Sequence, residues 1–276
     1  MKIKARLFTS GFIHVLAGVV ALLWLFPYAW MTLTSFKSFD EIIQRPTALL
    51  PGSPNLSAYR EVFSQVPVGR YMLITLWVAT AIALIQIALA LPAGYALAKL
   101  RFRGNGLAFG LVLACLLIPT QMTFVPIFLM FSKLRLVNSL TSLILPFGAS
   151  ALGTFMVRQA LLSVPDEVIE AARLDGASEF TIVYRVLAPM LKPTLIAIFL
   201  VSFVFHYNDY FWPLVMTTDD AVRTLPLGVA LLREQGTGVR WHIVMAGNVI
   251  LSLPALLVFA FAQRHLLRVV TAKGPH

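Results

Sequence analysis

The sequence predicts an all-α membrane protein with six transmembrane helices and one charged loop held outside the bilayer between spans four and five. Three observations predict it. The 276 residues are 59% apolar and 12% charged, against roughly 25% charged residues in an ordinary soluble domain. Five stretches, 7–36, 71–98, 104–132, 136–157 and 241–263, contain no Asp, Glu, Lys or Arg, and a sixth, 193–218, contains only Asp209. Each is long enough for a spanning helix, which needs about 20 residues. The third observation is the stretch from Ser163 to Pro193, a polar island carrying Asp166, Glu167, Glu170, Arg173, Asp175, Glu179 and Arg185 between two apolar runs.

Span one, about 11–35, is too long for the 7–15-residue apolar core of a signal peptide. Phe26-Pro27-Tyr28-Ala29-Trp30 sets aromatic anchors toward its far end, so it reads as a retained span. An outer segment, 37–70, is rich in turn residues, among them Leu50-Pro51-Gly52-Ser53-Pro54. Span two, 71–98, ends at the basic turn Lys99-Leu100-Arg101-Phe102-Arg103. Span three, 106–131, contains Pro119 and Pro126, each of which removes a backbone donor and predicts a kink. Such breaks are tolerated where they face protein or a water-filled cavity. Span four, 139–161, leads into the charged loop, 163–193. Span five (194–214), an outer loop (215–241), span six (242–264) and a basic tail complete one transmembrane domain over 1–276.

Orientation follows from basic residues near the span ends. The segments 1–6, 99–103 and 264–273 each carry three positives and no acid, which places both termini and the charged loop in the cytoplasm. The net charge of +10 is scattered over span ends rather than gathered on one face, so nucleic acid is not indicated. Cys115 is the only cysteine, and the five histidines have no ligand spacing, so no metal site is expected. No Gly-x4-Gly-Lys-Ser/Thr phosphate loop occurs, and no nucleophile–base motif is visible. No catalytic residue is expected, and any ATP chemistry belongs to another subunit.

Within the loop, Ser163-Val164-Pro165-Asp166 predicts a helix start, with Ser163 as cap and Asp166 reaching back. Val168, Ala171, Ala172 and Leu174 are read as one small, apolar face flanked by Glu167, Glu170 and Arg173. Gly176 supplies the left-handed residue that ends such a helix. Ser178 caps a second short helix, which Pro189 is expected to stop. A hairpin lying on the lipid surface would be rich in Lys and Arg, whereas 158–192 holds five acids and four bases. The loop therefore reads as a docking surface for a partner protein.

Glu170-Ala171-Ala172 followed by Gly176, with Leu187 and Pro189 downstream, resembles the coupling loop of ATP-binding-cassette (ABC) importer permeases. Thr34-Ser35-Phe36-Lys37, Gly94-Tyr95-Ala96-Leu97-Ala98, Ile118-Pro119-Thr120-Gln121, Tyr207 to Leu214 and Thr224 to Gly228 are similar to the carbohydrate-type branch. The resemblance covers nearly the whole chain and is nearest to the six-span permease subunit of maltose transporters. It implies the type I importer permease fold, in a bacterial or archaeal plasma (inner) membrane. It also implies coupling to an ATPase through Glu170, Ala171, Ala172, Arg173, Asp175, Gly176 and Ala177. The implied partners are a second permease, an ATPase dimer that holds ATP and Mg, and an extracytoplasmic binding protein. No cofactor is implied for this chain itself. Binding-protein contact is implied for Glu234, Gln235, Gly236 and Thr237. The family's usual Trp is Tyr207 here, and its usual C-terminal ending is shortened to Arg268–Gly274.

Gln121, Tyr207, Asn208 and Asp209 are candidates for lining a solute path. An acid at the bilayer centre costs about 2.5–3.5 kcal/mol, so Asp209 either faces a cavity or caps a helix at the outer water. Gln121 lines the path or bonds a neighbouring helix. A sugar or oligosaccharide is the default solute of the branch, with glycerol 3-phosphate, a glycerophosphodiester or a polyol as alternatives. A secondary transporter would instead show repeats or a chain of buried acids, and Asp209 is the single acid visible in a span.

Overall fold

The structure, a computed structural model, describes residues 2–233 and 239–271, with side chains described for 13–119, 121–233 and 239–261. Those residues form helices and turns, and no strand occurs among them. Two compact units share the chain, one built from 1–68 with 228–253 and the other from 69–227 with 254–276.

In the first unit, α1 (Lys2–Ser35) leads to two short helices, α2 (Phe39–Gln44) and α3 (Ser57–Gln65). The most apolar window of α1, within Ile13–Ser35, has no buried residue. The turn-rich segment 37–70 carries these two short helices and their caps. Ser38 caps α2 by accepting from the Glu41 amide at 3.2 Å, and Glu41 Oε1 accepts from the Gly52 amide. Lys37 is only 2% exposed. Its ammonium donates to the Ala48 carbonyl and lies over the Trp30 ring, which is what a buried lysine requires. Glu61 pairs with Arg240, and the Ser35 hydroxyl meets Tyr59 Oη at 2.7 Å.

The second unit carries α4 (Val68–Lys99), α5 (Asn105–Cys115), α6 (Thr120–Lys133), α7 (Leu140–Ile144, extended by a 3₁₀ turn to Phe147) and α8 (Ala151–Leu161). The loop helices α9 (Asp166–Leu174) and α10 (Glu179–Met190) follow, then α11 (Lys192–Tyr207) and α12 (Phe211–Met216). Helices α13 (Leu225–Leu231) and α14 (Trp241–Thr271) complete the order. Gly94 on α4 and Val157 on α8 touch so closely that a Cβ at 94 would stand 2.6 Å from Val157 Cγ1. One core, including Leu91, Tyr95, Val157, Leu161, Ile169, Ile182 and Leu187, runs from these two helices into the charged loop. A second core holds Val78, Ile82, Phe131, Leu143, Trp212 and Met216.

Among the described residues, three helical stretches are long and apolar enough to cross a membrane uninterrupted: Ile13–Ser35, Val68–Lys99 and Trp241–Phe261. Two bent pairs pass together, Leu140–Phe147 with Ala151–Leu161 at 42° and Glu179–Met190 with Lys192–Tyr207 at 86°. The expected third, fourth and fifth spans are therefore broken rather than continuous. Pro119, with φ −62° and ψ 131°, stands outside α6 as its N-cap residue, whereas Pro126 lies inside α6, which continues through it. Ser150 starts α8 anew by accepting from the Gly153 amide. The segment 208–210 separates α11 from α12.

Candidate functional site

The charged loop ends α9 with a full Schellman motif. The Gly176 amide donates to the Arg173 carbonyl and the Ala177 amide to the Ala172 carbonyl, both at 3.0 Å. Gly176 has φ +79°, the left-handed conformation that this motif requires at its first residue beyond the cap. Ala172 and Ala177 both pack against the core below. Ser178 then accepts from the Thr181 amide as the expected cap of α10.

Three details differ from the sequence reading. Ser163 does not cap α9; its hydroxyl donates to the Ala160 carbonyl, and Pro165 is the N-cap residue. Asp166 turns instead to Lys99, 2.6 Å away. Pro189 does not stop the second helix, which runs through a π-helical turn, Ile182–Leu187, and bends only at Leu191. The face read as small and apolar divides in the structure: Ala171 and Leu174 are exposed, and Val168 and Ala172 pack against the core. Ile169 is 4% exposed, whereas Leu174 is 89% exposed. The outward stripe is Glu167, Glu170, Ala171 and Leu174, at i, i+3, i+4 and i+7. Ala172 faces inward, so the two alanines divide between exposure and packing. Phe180, 69% exposed, extends the outer surface beyond Gly176. Leu174 was read only as part of the apolar face, and Phe180 was not among the expected site residues.

Three of the loop's charged side chains, Asp166, Arg173 and Glu179, bond back to α4. Tyr95 Oη donates to Glu179 Oε2 at 2.6 Å and accepts from Arg173 Nη2 at 2.9 Å. Arg173 Nε donates to Glu179 Oε1 at 2.9 Å. Lys99 Nζ donates to both the Val164 carbonyl and Asp166 Oδ1 at 2.6 Å. The Lys99 hydrogen bond holds Asp166 below its ordinary value; Tyr95, then Arg173, does the same for Glu179. Both lowered values make these contacts stabilising at neutral pH, and that stabilisation is lost as pH falls through them. Among the expected coupling residues, Glu170, Ala171 and Asp175 lie on the open surface. Arg173 is turned to Tyr95 and Glu179, and Gly176 shapes the backbone.

The path candidates divide. Tyr207 is fully buried, stacked on Phe203 at 5.5 Å, and offers no surface to a solute here. Asn208 is exposed and donates to the Val204 carbonyl. Asp209 Oδ1 accepts from the Trp212 amide at 3.2 Å, as a helix-starting residue does. With His206, Phe147 and Thr75 it borders a cavity of about 10 Å³, room for one water. Phe124 on α6 packs on Phe211 at 5.1 Å and Trp212 at 5.7 Å, which brings the exposed Gln121 end of α6 toward the 208–212 segment. Glu234, Gln235, Gly236 and Thr237 lie outside the described residues, as does the tail beyond 271.

Residues 86–271 match the family model of the binding-protein-dependent transport system inner membrane component. The arabinooligosaccharides transport system permease protein AraQ of Halalkalibacterium halodurans is 30% identical, over 99% of this chain and 99% of that protein. The sn-glycerol-3-phosphate transport system permease protein UgpE of Pectobacterium atrosepticum is 32% identical, over 93% of this chain and 94% of that protein. In fold the chain is similar to a chain of a bacterial ABC transporter involved in the import of the acidic polysaccharide alginate. That likeness has a TM-score of 0.80 at 23% identity and covers 94% of this chain and 96% of the other.

Proposed function

Because the chain belongs to the binding-protein-dependent transport system inner membrane components, a family of transport proteins, we propose that it forms half of the solute path of an ATP-driven importer. The observation that carries this reading is the outward stripe Glu167–Glu170–Ala171–Leu174, closed by Gly176 in its left-handed turn and extended by Phe180. Small, apolar and acidic groups at helical spacing suit a groove on a partner protein better than a lipid surface. The partner is an ATPase dimer, which holds the ATP and Mg; this chain holds no cofactor and performs no catalysis. A second permease completes the path, and a binding protein delivers solute from outside. The membrane is crossed six times, with α5 and α6 counted as one broken span, and both termini are cytoplasmic.

A sugar or oligosaccharide is the solute class, supported by the relation to an arabinooligosaccharide permease. The relation to a glycerol-3-phosphate permease supports a second reading, a small phosphorylated polyol in the same architecture. Purification of the chain from native membranes tests both. An ATPase and a second permease should accompany it, and mass spectrometry of the matching binding protein should identify the bound solute. A chain that purifies alone, with uptake independent of ATP, overturns the proposal.

Gln121, Asn208 and Asp209 are proposed to face the path, with hydrogen bonds to solute hydroxyls contributing about 0.5–1.5 kcal/mol each. Asp209→Ala is expected to lower uptake more than Gln121→Ala, because Asp209 also starts α12. Equal uptake in the two variants counts against that ranking.

A further inference from the structure

The loop enters α11 through a soft joint: a π-helical turn at Ile182–Leu187 and an 86° bend at Leu191. π-helical turns accompany sharp helix kinks, so a pull on α9 is expected to bend the chain there before it reaches α11. The contacts to α4 are stiffer. Over its last dozen residues α4 meets the Tyr184 hydroxyl at the Ala88 carbonyl, 2.8 Å, Val157 at Gly94, Arg173 and Glu179 at Tyr95, and Val164 and Asp166 at Lys99. Tyr95 is 3% exposed, and a close-packed interior transmits displacement.

Resting on the permease reading above, we propose that Tyr95 and Lys99 are positioning residues for transport. Tyr95, through Arg173 and Glu179, and Lys99, through Asp166 and Val164, fasten the charged loop to the end of α4. The loop and α4 then move as one body when the ATPase pulls. Arg173 thereby works inward, toward α4, and leaves docking to the Glu170 stripe. Neither α4 residue belongs to the outward docking surface.

The test uses the complete assembly in lipid vesicles, with Cys115→Ser and spin labels at Leu73→Cys on α4 and Ser163→Cys at the exposed foot of α9, outside the π-helical joint. MgATP with vanadate is the probe, and electron paramagnetic resonance measures the distance between labels. With Tyr95 and Lys99 present, the 73–163 distance is expected to stay fixed on adding the probe. In the Tyr95→Phe/Lys99→Met variant it is expected to shift and broaden, and ATPase stimulation by the purified binding protein should fall roughly fivefold or more, with the ATPase still bound. Identical distances and stimulation with and without the two substitutions overturn the proposal, as does loss of the ATPase from the variant complex, which marks a purely structural role. Should that variant fail to insert, Glu179→Gln, whose side chain is 55% exposed, gives the same reading without disturbing the core. An unsubstituted assembly that hydrolyses no ATP in response to its binding protein overturns the permease reading itself, and the fastening with it.

Discussion

Gly176→Val is expected to lower ATP-driven uptake about tenfold or more, because a left-handed conformation costs an L-residue roughly 1–2 kcal/mol and Val is among the least tolerant. No atom lies within 4 Å of the position a Cβ would take, so the effect is one of backbone conformation rather than of crowding. Losing that conformation dissolves the Schellman motif and turns the Glu170 stripe away from its present direction. The core beneath, built on Ile169, Ile182 and Leu187, does not include Gly176, so the chain should still insert and accumulate. Glu170→Lys is expected to act in the same direction by reversing a charge on the docking face. Uptake assays beside co-purification of the ATPase check both, and uptake at the parent level with the ATPase fully retained contradicts the docking surface.

Gly94→Val should have the largest effect on the folded protein itself. Its Cβ would stand 2.6 Å and 2.8 Å from Val157 Cγ1 and Cβ, and 3.0 Å from the Arg158 amide nitrogen. Val157 is fully buried, and the Arg158 nitrogen belongs to the α8 backbone, so α4 and α8 must separate. Overpacking of this kind typically costs about 1–3 kcal/mol. It would also draw the charged loop away from Tyr95 and Lys99. Thermal stability of the detergent-solubilised protein should fall, and Val157→Ala in the same chain should restore only part of it, because the Cβ at 157 and the Arg158 nitrogen stay in place. A Gly94→Val protein that melts like the parent contradicts the close helix contact.

The local features of the loop were legible in the sequence. Gly176 and Ser178 announce a turn and a cap through chemistry confined to a few residues, and Pro119 announces a break through its missing amide donor and the clash of its ring with a preceding turn. The partners of Asp166, Arg173 and Glu179 were not legible. Asp166 bonds a lysine 67 positions away, and Arg173 and Glu179 meet a tyrosine 78 and 84 positions away. Those choices follow from the way α4 and α8 pack, which the Gly94–Val157 contact sets. Tyr95 and Lys99 carried separate signals, one in an apolar run and one in a basic turn, and nothing local linked them to the loop. Ile169, the buried residue of α9, was not legible, because the core it enters is built from α4 and α8. The fate of Tyr207 depended on Phe203 one turn earlier, which stacks on it and removes it from any solute surface.

The most direct measurement is solute uptake by vesicles containing the chain with its partner permease and ATPase. Uptake should require ATP on the side of the charged loop and the loaded binding protein on the opposite side. It should persist when proton and sodium gradients are abolished. Uptake that proceeds without ATP and collapses with an ion gradient would contradict an ATP-driven importer and turn attention to Asp209 as a coupling acid.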